Sequence, residues 1–191
     1  NLTSWLTTPT TDGKTVSNIK GTDATLTGIN TLSFDGNNDK IELASVAYEI
    51  TATGIFEIEM DILIDDTHTN SQRIIWFYET SGNGFVRLQK NANNNNYVLW
   101  ARNSDQDQIF KSNNINFTPD VLFNLKITGD GTNVVVKHDN STVATLSITT
   151  ANFATLNYVE MSLGDDHSLY AFNGKMSNFK MTGGTTLHTH L

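Results

Sequence analysis

The segment Glu57-Ile58-Glu59-Met60-Asp61 sets three acids at alternate positions, and a strand turns alternate side chains to one face. Paired carboxylates at short range are the equipment of a retaining glycosidase, in which one acid donates a proton and the other, ionised, attacks the sugar. The same spacing also describes the wet side of an ordinary strand whose apolar residues, Ile58, Met60, Ile62 and Ile64, face a core. A carboxyl kept protonated near neutral pH needs an apolar wall, and no residue adjoining the three acids supplies one. Glu57, Glu59 and Asp61 are therefore read as a solvated face, with hydrolysis as the alternative.

A second group of residues has the chemistry of sugar binding. A glycan offers C–H faces to flat aromatic rings and hydroxyls to amides, acids and guanidinium groups. Trp76, Tyr78, Tyr97, Trp100 and Tyr170 supply rings, and Arg87, Gln89, Arg102, Asn103, Asp105 and Asp107 lie among them. His167 and Tyr170 belong to the polar segment 164–170, and loops of β proteins commonly carry function. The candidate ligand-binding residues are thus Trp76, Tyr78, Arg87, Tyr97, Trp100, Arg102, Asp105, Asp107, His167 and Tyr170. Large aromatics in strands also serve as core, and the sequence alone leaves Trp76 and Trp100 open between the two roles.

The elements that must position these side chains are strands. Runs of period two recur at short spacing, among them TLSFD, DKIEL, FEIEMDILID, RIIWFYE, GFVRLQK, NYVLWA, LFNLKITG, TNVVVKH, STVATLSI, YVEMSLG and GKMSNFKMTG. Between them stand DGNND, TSGNG, NANNNN, GDGTN and HDNS, whose Gly, Asn and Asp tolerate positive φ in tight turns. Both prolines, Pro9 and Pro119, fall in connections, as the missing N–H requires. Asn and Thr supply about a quarter of the residues while charged residues make up only 17%, a composition of strands and turns with a hydrogen-bonding surface. The 191 residues, 38% of them apolar, suffice for one domain with a continuous core. A net charge of −8 has the wrong sign for nucleic acid or anionic membranes, and no apolar run is long enough to span a bilayer. The absence of cysteine excludes disulfides and thiolate sites.

With its strands in order, the chain resembles the laminin-G-like, concanavalin-A-like lectin and glucanase jelly rolls of bacterial and phage proteins. NTLSFDGNNDKIEL is similar to the hallmark hairpin of that family, GIFEIEMDIL to the strand that follows, and FNGKMSNFKM to its closing strand. FTPDVLFNLKITGDGTNVVVKHDNSTVATL fits the intervening hairpin series. The resemblance implies an all-β, two-sheet antiparallel sandwich over residues 1–184 with a loosely held tail at 185–191. Phe123, Leu125 and Ile127, and Val159, Met161 and Leu163, should then face inward with the apolar residues of 58–64.

Relatives that hydrolyse β-glucans carry Glu, Asp and Glu in that order on one strand, whereas here the order is Glu57, Glu59, Asp61. The superfamily often binds one calcium ion, and Asp35 and Asp39 of the DGNND turn, together with Asp165, are the carboxylates placed to hold it. The function so implied is a non-catalytic, lectin-like recognition or adhesion module that binds glycan or polysaccharide. Its setting would be extracellular, on a cell surface or in a virion, alone or beside other subunits of a phage or surface assembly. A small glycoside hydrolase or polysaccharide lyase using Glu57, Glu59 and Asp61 is the enzymatic alternative, and a purely structural decoration module the third.

Overall fold

The computed structural model describes residues 18–20, 25–26, 31–37, 39–44, 54–65, 70–78, 85–91, 96–103, 105, 107–147, 160–164, 169–183 and 186–189. Those residues form strands β1 (Asn18–Lys20), β2 (Thr25–Leu26), β3 (Thr31–Asp35), β4 (Lys40–Ala44), β5 (Ile55–Ile64) and β6 (Gln72–Tyr78). There follow β7 (Phe85–Lys90), β8 (Asn96–Arg102), β9 (Gln108–Lys111), β10 (Ile115–Asn116) and β11 (Phe123–Asp130). The series closes with β12 (Asn133–His138), β13 (Ser141–Ser147), β14 (Glu160–Gly164), β15 (Asn173–Gly183) and β16 (Thr186–Thr189).

Two antiparallel sheets face each other. The first runs β1-β4-β14-β6-β7-β8-β10, with β9 also on β8, and the second β13-β12-β11-β5-β15-β3-β2, with β16 also on β15. This is the all-β sandwich that the alternating runs predict, with the two-sheet jelly-roll form that the resemblance implies. Ile58, Met60, Ile62 and Ile64 alternate with the acids of β5 and are all buried, as are Phe123, Leu125, Ile127 and Leu163. The side chain of Met161 and the whole of Val159 lie outside the described residues. From the first sheet, Ile75, Phe77, Leu88 and Leu99 meet them in one continuous core. Tyr97 lies tilted against Phe117, and Phe117 stacks on Phe123, at centroid distances of 4.9 and 4.8 Å, which ties β8 to β11 across the sandwich. One cavity of about 20 Å³, lined by Phe56, Ile58, Ile75, Leu88 and Ile127 among others, has room for little more than a water molecule.

Turn chemistry sets the hairpins. Asp139 and Asn140 join β12 to β13 with φ of 47° and 66°, the doubly positive conformation of a type I′ turn. At the preceding hairpin, the Thr132 hydroxyl and backbone N–H and the Asn133 N–H all donate to the Asp130 carboxylate and hold it well below the usual carboxylate range. Gly129 sits where a Cβ would run into the Phe56 ring and the Gly54 carbonyl, so the close approach of β11 to β5 requires glycine there. The C-terminal segment departs from expectation. Residues 186–189 are not a loose end but a strand, pairing with Lys180–Gly183 of β15 on the edge that β3 leaves after Ser177. An open edge of backbone donors and acceptors is satisfied by such a strand.

Replacing Ile62 with Ala should cost about 2 to 5 kcal/mol in denaturant unfolding, because its side chain lies at the centre of the core. A loss below about 0.5 kcal/mol, the range of surface sites, would show that the phase of β5 is wrong.

Candidate functional site

Pairing in the first sheet draws together residues that are far apart in sequence. Trp76 of β6 stands opposite Arg87 of β7, Arg87 opposite Trp100 of β8, and Trp100 opposite Lys111 of β9. Ile75, Leu88 and Leu99, the neighbours of this row, point into the core, so the pleat turns the row itself outward. Trp76, Arg87 and Trp100 are half-buried and Lys111 is exposed.

The contacts along the row are between cations and rings. The Arg87 guanidinium lies 4.1 Å from the Phe85 centroid and 4.8 Å from that of Trp100. Arg102 stands 4.4 Å and the Lys111 ammonium 5.0 Å from the same Trp100 ring. At the other end, Arg73 sits 4.4 Å from Trp76 and 3.9 Å from Tyr170, and its Nε donates to Gln89 Oε1 at 3.4 Å. Arg73, Arg87 and Arg102 are the only arginines in the sequence. Each lies against an aromatic ring of this one face, on a chain whose net charge is −8. Each such contact contributes about 0.5 to 1 kcal/mol where solvent reaches it, and offsets part of the repulsion among like charges.

Of the residues singled out from sequence, this face unites Trp76, Arg87, Trp100, Arg102 and Tyr170. Tyr97 is a correction: it is 1% exposed, packs tilted against Phe117 and belongs to the core rather than to a ligand platform. The backbone of Tyr78 extends β6 beside Phe85 and Glu160, while its side chain is outside the described set. Asp105 and Asp107 are exposed beyond Arg102 in the turn to β9, where the Asp107 N–H donates to Asn103 Oδ1 at 2.8 Å. His167 is not among the described residues. Arg73, Phe85 and Lys111 went unnoticed in the sequence. Aligning GFVRLQK against NYVLWAR as a hairpin places Phe85 opposite Arg102 and would have found the first ring, but Arg73 and Lys111 each lie past a register shift.

The acids of β5 are differently occupied. Lys126 Nζ is 2.7 Å from Glu57 Oε1 and 3.7 Å from Glu59 Oε2. Asn124 Nδ2 donates to Asp61 Oδ1 at 3.0 Å and Glu59 Oε1 at 3.3 Å, and Asn178 Nδ2 donates to Asp61 Oδ2 at 2.6 Å. Asn178 reaches Asp61 from the bulge in β15, where its φ is 53°. The hydrogen bond to Glu57, and after it the charge of both glutamates, raises Lys126 above its ordinary value of 10.5. The three acids thus lie among a cation and amide donors rather than against an apolar wall.

The DGNND turn uses its carboxylates on its own backbone. Buried Asp39 accepts from the Asp35 N–H through Oδ2 at 2.9 Å, and Asp35 Oδ1 accepts from the Asn37 N–H at 2.8 Å. No group of three or more His, Cys, Asp or Glu side chains that would hold a metal occurs among the described residues, and Asp165 lies outside them.

No protein-family model and no curated protein matches the chain. Among solved structures it is similar to the botulinum neurotoxin serotype D binding domain, with a TM-score of 0.71 and 14% identity over 92% of this chain and 45% of that one. The chain thus spans about half the length of that binding domain. It is also similar to domain 4 of a GH43 extracellular arabinanase from Geobacillus stearothermophilus, solved in complex with arabinotriose. There the TM-score is 0.60 at 13% identity, over 88% of this chain and 80% of that one. Alginate lyase from Alteromonas sp. 272 gives a TM-score of 0.59 and 13% identity, over 90% and 95% of the two chains. At these identities the likeness establishes the fold, a jelly-roll β-sandwich shared by binding domains and by an enzyme.

Two substitutions separate structural from chemical roles. Glu59→Gln should change stability by no more than about 0.5 kcal/mol, since the amide oxygen can still accept from Asn124. Asp39→Ala should cost about 1 to 3 kcal/mol, by leaving the Asp35 N–H unpaired, to the same extent in calcium and in chelator. A native chain whose melting temperature falls in chelator, with an Asp39→Ala variant that no longer responds, would make Asp39 a metal ligand instead.

Proposed function

We propose that the chain is a non-catalytic, lectin-like module of laminin-G-like type that binds carbohydrate through the outer face of its first sheet. The observation that carries this reading is the row Trp76, Arg87, Trp100 and Lys111, aligned by register and flanked by Arg73, Arg102 and Tyr170. Aromatic rings and multivalent hydrogen-bond donors on a rigid sheet are what a sugar surface requires. The arabinanase domain that shares the fold was solved with arabinotriose, and the neurotoxin neighbour is a binding domain, which supports recognition as the use of this sandwich. Such a module would work outside the cell, on a cell surface or as part of a phage or other surface assembly, where low charge and many Asn and Thr residues suit a hydrated surface. Among the described residues no helix is long and apolar enough to cross a membrane.

The lyase neighbour keeps catalysis open as the competing use of the fold. Against it stands the engagement of Glu57, Glu59 and Asp61 by Lys126, Asn124 and Asn178. A glycan array probed with the native chain should show binding, and Trp100→Ala should weaken it at least about tenfold, the scale of losing a central aromatic contact. Binding that survives both Trp100→Ala and Arg87→Ala would move the site elsewhere. Release of reducing or unsaturated ends from a polysaccharide panel, lost in Glu59→Gln, would make the protein an enzyme.

A further inference from the structure

We infer that Arg73 is a positioning residue of the glycan site: a bulge in β6 turns it to the outer face, where it clamps the segment 169–172 onto the first sheet and so sets the Tyr170 ring beside Trp76; the inference rests on the carbohydrate-binding reading above. Arg73 stands three residues before Trp76, and in an uninterrupted strand the two would point to opposite faces. The register shifts between them. Arg73 pairs with Gln89 and Ile75 with Leu88, so Ile74 is one residue more than the partner strand matches. Ile74 and Ile75 are both buried in the core, where strict alternation would bury only one of them. The extra residue therefore brings Arg73 to the face of Trp76, and bulges recur beside functional sites because they re-aim a side chain in this way.

On that face the side chain is engaged from several directions. Its guanidinium lies 3.9 Å from the Tyr170 centroid and 4.4 Å from that of Trp76, and its Nε donates to Gln89 Oε1 at 3.4 Å. Its backbone N–H donates to the Tyr170 carbonyl at 2.8 Å. Arg73 is only 8% exposed although it belongs to an outer face, and the half-buried Tyr170 is one of the groups that cover it. A side chain held in this way supports its neighbours rather than meeting a ligand itself. Two residues beyond Tyr170, buried Phe172 packs edge-on against Phe34 at 5.3 Å, and its carbonyl accepts from the Gly36 N–H at 3.1 Å. The segment 169–172 is thus anchored twice, by Phe172 against β3 of the second sheet and by Arg73 of β6 in the first. The second anchor bears directly on the Tyr170 ring. A planar guanidinium stacks on aromatic faces as a lysine ammonium on its flexible stem does not, so the position calls for arginine.

Hydrogen exchange and glycan binding, both measured on the full chain, test the inference. Arg73→Lys keeps the charge and loses the planar group. It should speed exchange of the residue 73 amide, which donates to the Tyr170 carbonyl, at least about tenfold, and leave the Gly36 amide, on the Phe172 side, unchanged. Tyr170→Ala removes the clamp from the other side without touching the bond between Arg73 and Gln89, and should open the same amide even where Arg73→Lys loosens the whole fold. Binding is read by calorimetric titration with arabinan and alginate and on the glycan array. Arg73→Lys should weaken it several-fold in the native background but less than about twofold in a Tyr170→Ala background, the non-additivity of two residues that act through one contact. Unchanged exchange at residue 73 in either variant overturns the inference. Equal weakening in both backgrounds, or faster exchange with undiminished binding, also overturns it while leaving a carbohydrate-binding module. A native chain that binds neither polymer and no array glycan overturns both.

Discussion

The burial of Ile58, Met60, Ile62 and Leu125 in one core with Ile75, Leu88 and Leu99 fixes the phase of the strands on which the rest of the structure depends. A strand has only two faces. A slip of one residue in β6, β7 or β8 would carry Trp76, Arg87 or Trp100 inward and drive the aliphatic residues out. Burying a guanidinium without a partner is far more costly than any single contact on the surface is worth, so the core excludes the alternative registers. The outward row is therefore a by-product of apolar packing beneath it, and it is as rigid as the core that holds it.

The two outer faces solve opposite electrostatic problems by different means. On the second sheet, three acids in file are contacted by the Lys126 ammonium and by the amides of Asn124 and Asn178. On the first sheet the cations lie against aromatic rings, whose faces attract them. Residue types that suggested catalysis and residue types that suggested recognition are thus separated by the thickness of the sandwich.

Much of this was legible in the residues alone. In β5 and β11 strict alternation of apolar and polar side chains gave the phase, so the buried set and the common face of Glu57, Glu59 and Asp61 followed directly. The Asp139-Asn140 turn was readable because few residues adopt positive φ at low cost. In β8 the run Tyr97-Val98-Leu99-Trp100-Ala101 is apolar throughout and carries no alternation, so nothing in the sequence separated buried Tyr97 from outward Trp100. The tail at 186–189 was unreadable for another reason: its partner edge exists only because β3 stops pairing with β15 at Ser177.

The sequence by itself determined that the chain would be an all-β sandwich and which side of its longest alternating strands would be buried, because side-chain period and turn preference are local properties. Only the tertiary structure decided that Trp76, Arg87, Trp100 and Lys111 share one row and that every arginine rests on an aromatic ring. Those residues come from four strands, and their proximity is set by strand order and hydrogen-bond register. Spacing along the chain does not encode either until the core has chosen the pairing.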